Sequence, residues 1–270
     1  MADKTKIEWA DATWNPVTGC LHKCEYCYAR RIAERFGGAS DRWTMPEHNQ
    51  WETISTGKNH ALDKQIYDTD RGRNAPYPYY FDPTLHYYRL GWPMKLTKPR
   101  TIFVCSMADL FGRWVPHDWI NVVFDACRKA PQHRYLFLTK CPIRYNELDY
   151  MALLPHEENF WYGTSVTTTV ALVTHPGNPG KGVNAFWSME PLLGSVNMDA
   201  AKDLPGWVII GAETGNRKDK VTPRKDWINE ITEFCDDNSI PVFMKDSLIP
   251  VVGEENMRRE FPWDSQEAGK

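Results

Sequence analysis

The chain is predicted to be an α/β protein built on a parallel β-sheet, and three features of its pattern predict this. Six short apolar runs recur, at 101–105, 135–138, 160–163, 185–188, 207–210 and 241–244. Each is close to continuously apolar, as strands covered on both faces must be. Helical or loop stretches separate them, and strand–helix alternation is the mark of βα units joined by right-handed crossovers.

In chain order, residues 14–18 form the expected first strand, which runs straight into a loop bearing three cysteines. Residues 29–36 are the expected first helix, closed by Gly37 and Gly38. After Pro116, Ile120, Val123, Phe124 and Cys127 recur at i, i+3, i+4 and i+7, one buried helical stripe. A further helix is expected to start at Thr222 and Pro223, with Thr as N-cap and Pro at the first helical position. Its inward face is Trp227, Ile228, Ile231, Phe234 and Cys235.

Two stretches break the alternation. Residues 39–100 are rich in Trp, Tyr, Pro and charge, centred on 75–81 (APYPYYF). Loops this long in compact domains are usually functional or disordered, and the aromatic load disfavours disorder. An ordered insertion is expected, either lying over the mouth of the fold or serving packing alone. Residues 174–182 (THPGNPGKG) form a Pro/Gly loop where a helix would normally stand.

With 270 residues and 42% hydrophobic content, the chain can bury a full core. A single domain over 1–270 is expected, with the insertion inside it. No apolar run approaches the ~20 residues that cross a bilayer, so no membrane partner is expected. The start, Met1-Ala2-Asp3-Lys4-Thr5-Lys6, lacks the apolar centre of a signal peptide. A cytoplasmic setting with reduced thiols follows as the expectation. A formal net charge of -3 gives no global basic footprint for nucleic acid. A local cluster, Arg217, Lys218, Lys220, Arg224 and Lys225, is able to meet a phosphate backbone, although charged loops are more often solvated. Twelve Trp suit base stacking, although more of them are expected to fill cores.

The chemistry concentrates in Gly19-Cys20-Leu21-His22-Lys23-Cys24-Glu25-Tyr26-Cys27-Tyr28. Iron–sulfur clusters are held by Cys thiolates, normally four. Three thiolates leave one iron open, and an open metal position marks a catalytic site rather than a structural one. His22 inside the loop keeps a Cys3His zinc site open as the alternative, in a zinc-stabilised, non-catalytic nucleic-acid-binding protein. Seven cysteines, an odd number, weigh against a disulfide framework.

The spacing of Cys20, Cys24 and Cys27, with Tyr26 before the third, resembles the signature of the radical S-adenosylmethionine (SAM) superfamily. The wider frame, 13–20 (TWNPVTGC) followed by 24–29 (CEYCYA), resembles the opening of a phage and prophage family within it, distantly similar to spore photoproduct lyase. Further matches are 103–111 (FVCSMADLF), 138–142 (LTKCP), 188–194 (SMEPLLG), 207–215 (WVIIGAETG) and 242–245 (VFMK). The resemblance implies a partial or irregular (β/α) barrel of the radical SAM type. It also implies a [4Fe–4S] cluster on Cys20, Cys24 and Cys27, with SAM chelated at the open iron. Reductive cleavage of SAM then gives methionine and a 5′-deoxyadenosyl radical, which takes a hydrogen atom from substrate. The electron would come from an external flavodoxin- or ferredoxin-type donor, since no second cluster motif is visible. The substrate implied is a nucleobase, such as a modified pyrimidine in DNA, while a free nucleotide, a peptide or a small metabolite fits the sequence almost as well.

Ligands of parallel α/β folds sit beyond the carboxyl ends of the strands. There the sequence places Ser106 and Asp109, Lys140 and Cys141, Ser165, Glu190, Glu213, and Lys245 with Asp246. By resemblance, Tyr26 lies against adenine and the Ser106–Asp109 turn meets the methionine ammonium. In the same way Lys140 meets the carboxylate, and Ser165 and Glu190 are ribose partners. The loop around Glu213 approaches adenine or substrate. Cys105 and Cys141 are the candidate catalytic residues, since an S–H group can return a hydrogen atom to a substrate radical. Their alternative role is that of small core hydrophobes, which is the role expected of Cys127 and Cys235.

Overall fold

The computed structural model describes residues 3–38, 59–169, 182–201 and 203–264. It has an α/β fold with a seven-stranded parallel sheet. The chain divides into two compact units, Met1–Phe137 and Leu138–Lys270. The first contains β1 (Ala12–Trp14), β2 (Val17–Thr18), α1 (Tyr28–Phe36), β3 (His60–Leu62), β4 (Tyr67–Asp68), β5 (Arg73–Asn74), β6 (Thr84–His86), β7 (Thr101–Val104) and α2 (His117–Arg128). Strand β8 (Arg134–Thr139) runs across the boundary. The second contains α3 (Ile143–Tyr150), β9 (Phe160–Ser165), β10 (Asn184–Met189), β11 (Val208–Ile210), α4 (Lys225–Asp237), β12 (Val242–Met244) and α5 (Ile249–Val252). The large sheet has the order β1-β7-β8-β9-β10-β11-β12. All six apolar runs are strands of it, each next to its successor, as successive right-handed crossovers require. Among the described residues no helix is long and apolar enough to cross a membrane.

In the first unit, β1 pairs in parallel with β7, and β7 with β8. Helix α2 buries Ile120, Val123, Phe124 and Cys127, the stripe read from the sequence, together with Trp119 and Ala126. The expected first strand is two strands. β1 stops at Trp14, and β2 leaves for a three-stranded sheet of order β2-β6-β3. Pro16 has no N–H for the large sheet's ladder. Its carbonyl turns instead to the insertion, accepting from His86 N at 2.8 Å. The described part of the insertion, 59–100, is ordered and stitched to β1. Trp14 Nε1 donates to Arg89 O at 2.8 Å, and the buried Arg89 guanidinium donates to Asn15 O at 3.0 Å. Residues 39–58 and the expected loop at 174–181 lie outside the described residues.

In the second unit, alternation along the strands sorts the side chains into two faces. Trp187, Met189, Val208, Ile210, Val242 and Met244 pack on one face with Ile228, Ile231 and Cys235 of α4. The other face carries an aromatic cluster in which Trp207 touches Phe186, Phe243, Phe261 and Trp263 at centroid distances of 5.3–6.3 Å. Helix α4 starts at Lys225, later than the Thr222–Pro223 start expected. Thr222, before proline, is held out of the helical region, and Arg224 is still extended, so the helix begins only at Lys225.

Gly163 of β9 faces this aromatic cluster, where a Cβ would stand 2.2 Å from the Phe186 ring. Gly163→Ala is therefore expected to destabilise the protein by roughly 1–3 kcal/mol through overpacking, read as a lower melting temperature. An unchanged melting temperature would show that Phe186 has room to move.

Candidate functional site

The cysteine loop and the turn after β7 are built as one piece. Because β1 and β7 are parallel neighbours, their carboxyl ends emerge side by side. Gly19 bridges to Ala108 and donates its N–H to Met107 O at 2.9 Å. On the other flank, Cys20 N–H donates to Phe81 O of the insertion at 3.1 Å. Gly19 is wedged between the two with φ +89°, and a Cβ there would stand 2.2 Å from Asp82 O. Only glycine fits that conformation and that gap.

Side chains add four further ties. Asn15 Oδ1 accepts from Met107 N at 2.9 Å and from Ser106 Oγ at 3.2 Å. Tyr28 Oη donates to Ser106 O at 2.7 Å. His22 Nε2 lies 2.7 Å from Asp109 Oδ2, and the imidazole meets Trp114 edge-on at 4.8 Å. Arg30 donates to Cys20 O at 3.1 Å while its guanidinium lies over Phe81, 4.9 Å from the centroid. Buried Asp109 also accepts Phe111 N–H through Oδ1 at 3.1 Å, so both of its oxygens hold the fold together. Within the turn, among the described residues, the carbonyls of Cys105, Ser106 and Met107 each accept one bond, from Ala108 N, Tyr28 Oη and Gly19 N. Each carbonyl has a second lone pair to offer a ligand ammonium.

Cys20, Cys24 and Cys27 are free and half-buried. Cys27 also caps α1, its Sγ accepting Arg30 N–H at 3.3 Å. Burial pushes the Cys20 thiol up to about 12, with Asp109, Cys24 and Cys27 adding repulsion. A thiolate at Cys20 is unfavourable until a cation joins it, and this is the electrostatic condition that a metal centre relieves. The donor chemistry, three thiols in one loop and one electrostatic neighbourhood, fits an iron–sulfur cluster. Among the described residues no three His, Cys, Asp or Glu side chains are gathered into a group that would hold a single ion. Tyr26 is half-buried in the same loop. Cys105 is buried at a left-handed backbone position, φ 60°, and burial pushes its thiol up to about 12.

The remaining candidates belong to the second unit. Thr139 Oγ1 accepts Cys141 N–H at 2.9 Å, which fixes half-buried Lys140 and buried Cys141 directly after β8. Ser165 ends β9, opposite Ser188 of β10. Glu190 follows β10 and is ion-paired with Lys245, which follows β12. Glu213 is buried after β11, and both its oxygens accept from Arg217, at 2.7 and 2.8 Å. Val221 N–H adds a longer bond of 3.4 Å, so Glu213 closes its own loop into a ring. The basic cluster is correspondingly weakened, since Arg217 is paired with Glu213 and Arg224 with Asp226.

The Arg217 hydrogen bonds hold the Glu213 carboxyl below the ordinary glutamate value of 4.5. A lowered carboxyl stabilises the fold fully above its unfolded value and loses that contribution as pH falls through the folded one. Acid unfolding of Arg217→Met is therefore expected to show a shallower loss of stability below pH 4.5 than the parent. Superimposable acid-unfolding curves would remove Glu213 from the account.

Asn15, Tyr28 and Arg30 carry roles that the sequence reading does not assign them. Asn15-Pro16 is a turn signal, and an Asn that stops a strand is a natural cap for the next turn. Arg30 carried no such signal, because its partners are brought to it by the insertion. Neither a curated protein nor a solved structure matches the chain. The family model described as "Protein of unknown function (DUF5131)" matches residues 4–248, and the chain belongs to that family.

Proposed function

We propose that this chain is a radical SAM enzyme acting on a nucleobase. The observation that carries this is the single block formed by the cysteine loop and the Ser106–Asp109 turn, pinned at Gly19, Asn15, Tyr28 and His22. A [4Fe–4S] cluster held by Cys20, Cys24 and Cys27 would supply the electron that splits SAM into methionine and a 5′-deoxyadenosyl radical. The chain binds, orients and shields. Arg30 and Tyr28 fix the loop's carbonyl and its far end, so the thiols face one neighbourhood. The turn carbonyls offer acceptors for the methionine ammonium, Lys140 offers a cation for its carboxylate, and Tyr26 offers a ring for adenine. Ser165 offers a ribose partner, whereas Glu190, expected beside it, is ion-paired with Lys245. Glu213 shapes the loop near adenine or substrate without lending it a free oxygen pair. Cys105 and Cys141 are buried thiols, and a neutral S–H is the form that gives up a hydrogen atom. An external flavodoxin- or ferredoxin-type donor in the cytoplasm, and a pyrimidine of DNA or a nucleotide, complete the reading.

One observation favours zinc: a carboxylate-backed imidazole, as Asp109–His22 is, commonly stands behind a zinc ligand. Anaerobic reconstitution with iron and sulfide separates the two. A brown protein absorbing near ~400 nm and holding iron is expected, whereas zinc is colourless. Incubation with SAM and dithionite is then expected to release 5′-deoxyadenosine. A loaded cluster without that product would leave a cluster protein that does not cleave SAM.

A further inference from the structure

The second unit carries a polar row with a geometry of its own. Met189 stands opposite Ile210, and Ile210 opposite Met244. One step further along these parallel strands, Glu190, Gly211 and Lys245 form a row across β10, β11 and β12. The row lies on the face away from α4, because Met189, Ile210 and Met244 occupy the α4 face. Glu190 and Lys245 pair across the middle strand. They reach each other because the middle position is glycine: a Cβ on Gly211 would stand 3.0 Å from Lys245 Cδ and 3.2 Å from Glu190 Cγ. Two residues back along β10, about 7 Å on the same face, is Ser188. It is 1% exposed, and among the described residues its hydroxyl has no hydrogen-bond partner.

A buried hydroxyl without a partner is unfavourable, and here it stands behind an acid–base pair at the carboxyl ends of parallel strands. A lone anion entering the row meets the Glu190 charge, and a lone cation meets that of Lys245. A neutral edge bearing a donor beside an acceptor meets neither obstacle. We infer that this row binds the edge of a nucleobase that presents an N–H beside a hydrogen-bond acceptor. The carboxylate accepts the N–H, the ammonium donates to the neighbouring C=O or ring nitrogen, and the bound nucleoside supplies the partner that Ser188 lacks. Thymine, uracil and guanine present an N–H beside a C=O, and cytosine and adenine an amino N–H beside a ring nitrogen. The inference rests on the nucleobase reading above and places the base at this row.

Calorimetric binding of thymidine, N3-methylthymidine and 2′-deoxycytidine to the anaerobically reconstituted holoprotein tests this. Thymidine is expected to bind roughly tenfold or more tightly than N3-methylthymidine, which has lost the N–H, the factor that one hydrogen bond to a charged group is worth, and 2′-deoxycytidine is expected to bind comparably to thymidine. Lys245→Met and Glu190→Gln are each expected to lose about that factor. Both also break the ion pair, so Ser188→Ala is the variant that separates binding from folding. It removes a hydroxyl the fold does not use, and is expected to keep or raise the melting temperature while weakening thymidine binding. Equal affinities for thymidine and N3-methylthymidine, no binding of any nucleoside, displacement of thymidine by equimolar SAM, or a Ser188→Ala variant that binds like the parent overturns the assignment. SAM cleavage without nucleoside, assayed on the same samples, isolates the two readings. If 5′-deoxyadenosine forms and the thymidine preference is missing, only this base site falls. If none forms from a protein without iron, the enzyme reading falls first.

Discussion

Replacing any one of Cys20, Cys24 and Cys27 with Ala is expected to reduce iron and sulfide retention severely and to bring SAM cleavage to background. Each thiol is one of the three ligands proposed, with no fourth cysteine in the loop to substitute for it. Loss of an outer partner alone typically lowers metal affinity or activity roughly 10–100-fold, and loss of a ligand costs more. Asp109→Asn provides the graded comparison, since it keeps the side-chain shape and changes the bond to His22 without removing a thiol. Its iron content is expected to fall between that of the parent and the Cys variants. Iron and acid-labile sulfide per chain, with the absorbance near ~400 nm, read all four variants without relying on turnover. A Cys24→Ala protein that retains full iron and cleaves SAM would falsify the assignment of the loop.

Gly19→Ala is expected to be the most damaging single substitution outside the thiols. Two independent costs coincide there. A side chain at φ +89° is strained by about 1–2 kcal/mol, and its Cβ would stand 2.2 Å from Asp82 O and 2.7 Å from Phe81 O. Both neighbours are backbone atoms, so neither can swing aside, and overpacking adds about 1–3 kcal/mol. The sum, roughly 2–5 kcal/mol, is a large share of the ~5–15 kcal/mol that holds a domain together. Gly182→Ala isolates the strain, because Gly182 has φ +86° and, among the described residues, nothing lies within 4 Å of its would-be Cβ. Thermal unfolding of the two variants is expected to place Gly19→Ala well below Gly182→Ala, with iron retention lost in the former alone. Equal melting temperatures would mean that the loop and the insertion are not packed as described.

Much of this architecture was legible before any coordinates. The strands at 101–104, 134–139 and 184–189 carry uninterrupted apolar runs because both faces of a central parallel strand are covered. The α2 stripe was legible because one face alone is buried. Residues 14–18 look like one continuous strand, but β1 is Ala12–Trp14 and Pro16 sends the rest into another sheet. The start of α4 was read early for a related reason, since Thr222-Pro223 satisfies the local rule but the chain is still extended at Arg224.

The sequence by itself determined the fold class and the placement of three thiols on one loop, because both depend on spacing along the chain. It did not reveal that Asp109 faces His22, that Arg30 holds Cys20, or that Gly211 lets Lys245 cross to Glu190. Those pairings join residues 87, 10 and 55 positions apart. Tertiary structure alone decided them, because a hydrogen bond or ion pair depends on distance in space, and only the packing of the insertion and the register of the parallel strands bring these atoms within reach.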